Sequence, residues 1–257
     1  MVTSKSTLKV AGMALRAARD ALAEHARPKS PKKFTQPQLA ACLIIKQLRR
    51  VDYRGMSIML QEWSDLREVL GLKQVPHFTT LCQADKRLFN KSTADRLMAA
   101  TLKLCRQGRV LKARTSLAAI DSTGLESRHV SAYFTQRCRR HDGHYKHRFP
   151  KLSAVADTAN HLILGLVVDL GPKPDSIEDE ATLLSALAMQ RIDALVGDAG
   201  YESERFHRTC RRDLGIASII PTTQRGRPRR DGKARATTGY YRRLMQRAFP
   251  KQLYGQR

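Results

Sequence analysis

The chain has 257 residues, of which 42% are hydrophobic, enough for one large domain or two of ordinary size and for a real core, which excludes wholesale disorder. Its 47 Lys and Arg against 23 Asp and Glu leave a net charge of +24. That excess favours a polyanionic partner, with nucleic acid first and an anionic membrane surface second. No run approaches the roughly 18 to 20 apolar residues of a spanning helix, and the N-terminus lacks a signal-peptide core, so a cytosolic location is expected. Cys42, Cys82, Cys105, Cys138 and Cys210 are odd in number and hold no C-x-x-C pair, as expected of reduced structural thiols.

Residues 1–34 read as a basic arm, with a short helix over 11–24 and a proline-broken charged linker, Arg27-Pro28-Lys29-Ser30-Pro31-Lys32-Lys33. From Thr35 to about Arg106 the periodicity is helical. Thr35 is a candidate N-cap, Pro37 lies in the first turn, and Leu39, Cys42, Leu43, Ile45 and Leu48 form an apolar stripe. Further helices are predicted over 53–63, from Ser64 to a stop at Gly71, over 79–89, and over 92–105 with Ser92 as cap. The region 35–110 is therefore expected to be a compact helical domain, with Trp63 and Leu70 in its core.

After Gly108 the pattern changes. Strands are predicted at 116–121, 152–157 and 162–169, a helix at 178–190, a strand at 192–198, a helix at 202–214 and a strand at 216–221. That order predicts a mixed α/β sheet covered by helices over 111–257. Beyond Pro221 the chain becomes a basic tail with 11 Lys/Arg and one acid, Asp231, and a helical turn or two over 240–248.

Two of the strands end on an aspartate: Ser116-Leu117-Ala118-Ala119-Ile120-Asp121 and Ile192-Asp193-Ala194-Leu195-Val196-Gly197-Asp198. A buried strand that delivers an acid at its carboxyl end presents a metal ligand at the sheet edge. Hard divalent cations take oxygen ligands, and phosphoryl transfer with two ions needs several carboxylates from different elements. Small residues around the second acid, Gly197, Ala199 and Gly200, leave room for close approach. Each aspartate can equally cap the turn that follows it, and spacing alone leaves both roles open.

Asp121-Ser122-Thr123 and Gly197-Asp198-Ala199-Gly200-Tyr201 resemble the first two acidic motifs of insertion-sequence DDE transposases. Pro150-Lys151-Leu152-Ser153-Ala154-Val155-Ala156-Asp157-Thr158 and Leu162-Ile163-Leu164-Gly165 resemble the strands after the first of those motifs. The resemblance spans Phe34 to the C-terminus. It implies a helical N-terminal DNA-binding domain and a ribonuclease-H-like mixed-sheet core, with Asp121 and Asp198 as catalytic, metal-binding residues. It also implies Mg²⁺ or Mn²⁺ as cofactor and double-stranded DNA, in the element's terminal inverted repeats and the target, as partner. Self-association, or association with a full-length transposase, follows from the same resemblance. The implied chemistry is hydrolysis of a phosphodiester at the element end, then attack of the freed 3′-hydroxyl on target DNA. In one large group of the family the third acid lies in Tyr-x-x-Arg-x-x-x-Glu, and Tyr254-Gly255-Gln256-Arg257 matches its first half. By that spacing the glutamate falls beyond Arg257, so the core is expected to be incomplete at its C-terminus. In the register Tyr240-Tyr241-Arg242-Arg243 the acid's place is taken by Arg247, and Asp231 lies in a turn-like, basic stretch unsuited to a helix-borne ligand. Catalysis is therefore expected to be impaired, and the alternative function is a non-catalytic repressor that occupies the inverted repeats.

Other clusters have plainer readings. Cys138, His141, His144 and His147 lie among Arg137, Arg139, Arg140, Lys146 and Arg148, and read as a basic loop that contacts phosphates rather than a zinc site. Asp175, Glu178, Asp179 and Glu180 suit the start of a helix, and Glu126 suits solvent. Arg225-Gly226-Arg227-Pro228-Arg229-Arg230 reads as a flexible phosphate or minor-groove clamp. Arg49, Arg50, Arg54 and Lys73 are candidate DNA contacts in the helical region, and Arg257 in the last motif.

Overall fold

The computed structural model describes residues 6–26, 32–125, 136–137, 140, 148–171, 173–174, 177–222 and 237–256. The chain divides into two compact units, Met1–Val110 and Leu111–Arg257.

The first unit is helical: α1 (Thr7–Ala21), α2 (Gln36–Arg49), α3 (Tyr53–Glu62), α4 (Ser64–Val69), α5 (Phe78–Leu88) and α6 (Lys91–Gln107). Helix α1 lies in the stretch expected to be a basic arm. Its Ala11, Ala14, Leu15 and Ala18 are buried, and the helix packs on α2 and α6. The small side chains let the helix axes come close, so an alanine-rich stripe serves as a core face although it is only weakly apolar. Helix α2 starts as its sequence suggests. Thr35 Oγ1 accepts from Gln38 N at 3.2 Å, while Gln38 Oε1 accepts from Thr35 N at 3.0 Å, a reciprocal capping box. Gly71, at φ +64, ends the α4 segment in a left-handed turn that glycine adopts without strain. Helix α6 begins earlier than Ser92 because Asn90 Oδ1 accepts from Thr93 N at 3.0 Å and takes the cap. Leu70 is fully buried, and Trp63 packs half-buried against the same core.

The second unit holds a five-stranded mixed sheet of β2 (Ala118–Gly124), β3 (Phe149–Asp157), β4 (Ile163–Gly171), β6 (Ala194–Gly197) and β7 (Ala217–Ile219), in the order β4-β3-β2-β6-β7. β3 runs antiparallel to both β4 and β2, while β6 is parallel to both β2 and β7. This mixed sheet is consistent with the ribonuclease-H-like core that the resemblance implies. A separate short pair joins β1 (Arg114–Thr115) to β5 (Arg191–Ile192) in parallel. The strand predicted over 192–198 is thus split at Asp193, whose N–H donates to Thr115 O at 3.0 Å and whose carboxylate pairs with Arg114.

Helix α7 (Asp179–Leu187) covers β3 and β4 on one face. Gly165 makes that packing possible, since a Cβ there would lie 2.3 Å from Ala186 N. After β6 come a 3₁₀ turn (Ala199–Tyr201), α8 (Glu204–Arg208) and a π turn (Thr209–Asp213), where one helix had been expected. The stretch past Pro221 is not all solvated tail: α9 (Tyr240–Arg247) and α10 (Lys251–Tyr254) are ordered, and Met245 is buried.

Candidate active site

The two acids singled out by sequence meet through strand register. β2 and β6 are parallel, with Ala119 beside Val196 and Ile120 beside Gly197, so the next residues on the two strands are Asp121 and Asp198. Adjacent strands lie about 4.8 Å apart, so the two acids follow one another across neighbouring backbones. Side chains alternate along a strand, so Asp121 shares a face with Ala119, and Asp198, still extended at φ −75 and ψ 177, shares that face with Val196. Asp121 does not end its strand, as had been expected. β2 continues to Gly124 because β3 goes on pairing with it, Asp121 opposite Ala154 and Gly124 opposite Lys151. What ends at Asp121 is the parallel partner, and that opens a notch where the carboxylate is exposed.

Each carboxylate is oriented by a backbone amide. Asp121 Oδ1 accepts from Ser122 N at 2.8 Å, and Asp198 Oδ1 accepts from Gly200 N at 2.8 Å, capping the 3₁₀ turn. Capping and metal ligation are therefore compatible for Asp198: one oxygen holds the turn, and Oδ2 is the oxygen that a cation would take. An exposed Asp121 and a half-buried Asp198 on neighbouring strands suit a hard divalent ion, which commonly takes one or two carboxylates and completes its shell with water and phosphate oxygens. Among the described residues no group of three or more His, Cys, Asp or Glu comes together.

The acid-bearing face is partly covered by the C-terminal segment. Leu117, Val196 and Ile219 form an apolar cluster against which Ala119, Phe249 and Tyr254 pack. Tyr254, the first residue of the half-motif in the tail, thus lies on the face from which Asp121 and Asp198 project. Two acids that the sequence reading passed over hold this segment. Glu204 accepts from three amides at the start of α9: Tyr240 N at 3.0 Å and Tyr241 N at 3.3 Å on Oε1, and Arg242 N at 3.1 Å on Oε2. Glu202, 3% exposed, takes the Arg242 guanidinium in a two-pronged ion pair. Gly239, at φ +95, is required there, because a Cβ would come within 2.2 Å of Glu204 Oε2. The available signal was position: Tyr201-Glu202-Ser203-Glu204 follows Asp198 directly.

Behind the sheet, His207 is fully buried, and its Nδ1 lies 2.7 Å from Ser218 Oγ, which also accepts from Arg211 Nε at 3.1 Å. Burial, with the Arg211 charge second, pushes its pKa down from 6.5 to about 4. Asp179, 1% exposed, is pushed up by burial and sits 3.3 Å from Arg205.

Among the expected DNA contacts, Arg49 and Arg50 lie exposed at the end of α2, with Arg50 at φ 54, and Arg140 is exposed. Arg54 and Lys73 are exposed as well. Arg139, Lys146, Arg225, Arg227, Arg229, Arg230 and Arg257 lie outside the described residues, as do Cys138, His141, His144, His147, Glu126, Asp175 and Asp231.

A family model described as "Transposase DDE domain" matches residues 112–257, the whole of the sheet-bearing unit but its first residue. The chain belongs to the DDE transposase family. A search of curated proteins returned no match. Transposases of this family bind DNA as substrate and generally use divalent metal ions. No helix among the described residues is long and apolar enough to cross a membrane.

Proposed function

We propose that Asp121 and Asp198 are the first two metal ligands of a transposase that cuts and rejoins the ends of its own element. The observation that carries this reading is the parallel register that sets Asp121 beside Asp198 at the notch where β6 stops. A bound Mg²⁺ or Mn²⁺ would supply charge stabilisation at the attacked and leaving oxygens of a phosphodiester. The chain's own residues supply the rest. The amides of Ser122 and Gly200 fix the two carboxylates, and the net charge of +24 draws the DNA backbone to the protein. Glu202 and Glu204 hold the start of α9, Phe249 and Tyr254 pack on the same face, and in the sequence Tyr254 and Arg257 match the start of the motif that in one large group of the family carries the third acid. In this reading the helical unit binds the terminal inverted repeats, and the basic stretches around Arg139, Arg140 and Lys146 and around Arg225, Arg227, Arg229 and Arg230 contact phosphates.

The test is cleavage of a labelled duplex carrying the element end, with Mg²⁺ or Mn²⁺, by this chain and by a version extended past Arg257. Cutting by either protein that Asp121→Asn abolishes supports the site. Binding of the ends without cutting by either supports the non-catalytic repressor instead.

A further inference from the structure

We infer that α5 is the helix that reads duplex DNA, lying in the major groove with Thr79 and Gln83 toward the base edges. The inference rests on the reading of the chain as a DNA-handling protein and gives that function a surface in the first unit.

Helix α5 has 11 residues and buries Leu81, Ala84 and Leu88, packing on α2 and α3. At 100° per residue, Thr79, Gln83 and Lys86 then form one ridge on the opposite side, with Thr80 and Arg87 flanking it. Thr79, Gln83, Lys86 and Arg87 are exposed. No acid lies on that ridge. The one carboxylate of the helix, Asp85, is turned toward α3, where its Oδ2 accepts from Tyr53 Oη at 2.6 Å. An exposed helix face built of hydroxyls, one amide and two cations offers little to an apolar partner. It matches the donor and acceptor code of the major groove, where Gln pairs with adenine and Thr meets the thymine methyl group.

Cations flank the ridge on both sides, where groove walls place phosphates. The Arg54 guanidinium stacks 4.8 Å above the Phe78 ring, at the first turn of α5. Lys33 lines one cleft with Thr80 and Arg87. The first turn of α5 carries no acid, and its cap is the exposed His77, whose Nδ1 accepts from Thr79 N at 3.4 Å and lies 2.8 Å from Thr79 Oγ1. Charge complementarity selects a polyanion, and an exposed helical ridge between two cationic flanks selects a duplex wide enough to admit a helix. The major groove of B-form DNA, about 12 Å wide, is such a site, whereas the deep and narrow groove of A-form RNA is not.

The experiment uses the full chain and a pool of duplexes with a random central segment, with bound molecules enriched and sequenced. Wild-type protein should enrich a motif. Gln83→Ala and Thr79→Ala should each alter that motif at one or two positions and weaken binding to the wild-type motif by about 5- to 150-fold. Arg54→Gln and Lys33→Gln should leave the motif unchanged, weaken all sequences alike and lower the salt slope by about one each. These side chains are exposed, and circular dichroism checks that each variant folds. The proposal is overturned if wild type enriches no motif, if Gln83→Ala and Thr79→Ala enrich the wild-type motif, or if RNA displaces the duplex pool. Cleavage at Asp121 and Asp198 is not read in this assay, so failure of the catalytic reading leaves its outcome unaffected.

Discussion

Replacing Glu204 by alanine tests whether one carboxylate anchors the C-terminal segment to the start of α8. A helix start leaves its first amides without intrahelical partners, and Glu204 takes three of them in α9, at 3.0, 3.3 and 3.1 Å. A side-chain cap is worth about 0.5–2 kcal/mol, and a carboxylate at the positive end of a helix adds up to about 2 kcal/mol. The three bonds share one carboxylate, and the freed amides can rehydrate, so the sum for this site is about 2–4 kcal/mol. Helix α9 has only 8 residues and cannot stand alone. The loss should therefore appear as local opening, while the sheet stays closed. At about 1.4 kcal/mol per tenfold, amide exchange in residues 239–254 should speed up by roughly 30- to 700-fold, with β3 unchanged. Hydrogen-exchange mass spectrometry reads both segments in one experiment. A change below about 5-fold in α9, or an equal rise in β3, would refute the anchoring argument. Glu204→Gln, which keeps acceptor and shape but loses charge, should fall in between, and Gly239→Ala should act in the same direction as Glu204→Ala.

Asp121→Asn and Asp198→Asn should each weaken Mn²⁺ binding at least about tenfold by calorimetry, since an amide is a poorer ligand for a hard cation. Both should leave DNA affinity unchanged or slightly raised, because a negative charge near phosphates is removed, and a large loss of DNA binding with folding intact would contradict this. The His207 ring stays neutral in the fold down to about pH 4, whereas the unfolded chain takes up its proton near 6.5. Its contribution is therefore complete above about pH 6.5 and lost as pH falls, by roughly 2 kcal/mol at pH 5 and about 3 kcal/mol near pH 4. Urea midpoints at pH 7 and 5 should drop less steeply in His207→Gln than in wild type, and equal drops would remove His207 as the cause. Gly165→Ala would place a Cβ 2.3 Å from the Ala186 amide nitrogen in α7. Backbone rather than a mobile side chain must move, so a loss of about 3 kcal/mol or more is expected on denaturant unfolding. Burial pushes the Cys42 and Cys210 thiols up to about 12, so a thiol reagent at pH 8 should spare both in the folded chain and modify them only after unfolding.

The amino-acid sequence by itself determined the order of helices and strands, the change of character near residue 110 and the two acids at the ends of apolar runs. These are local signals, because periodicity and capping residues act over a few neighbours. Where tertiary contacts outweighed the local signal, the reading went astray. Helix α1 was taken for part of a basic arm because an alanine stripe is weakly apolar, and only its packing on α2 and α6 makes it core. The strand over 192–198 is interrupted at Asp193, where the pairing with β1 gives way to the pairings of β6 with β2 and β7, all with partners far away in sequence. Glu202 and Glu204 were passed over in the sequence, since the partners that give them a role lie some 35–40 residues further along the chain. Above all, two aspartates separated by most of the sheet-bearing unit become one candidate site only through the parallel register of β2 and β6. Backbone hydrogen bonds between strands set that register, and no pattern internal to either strand encodes which residue of the other it will face.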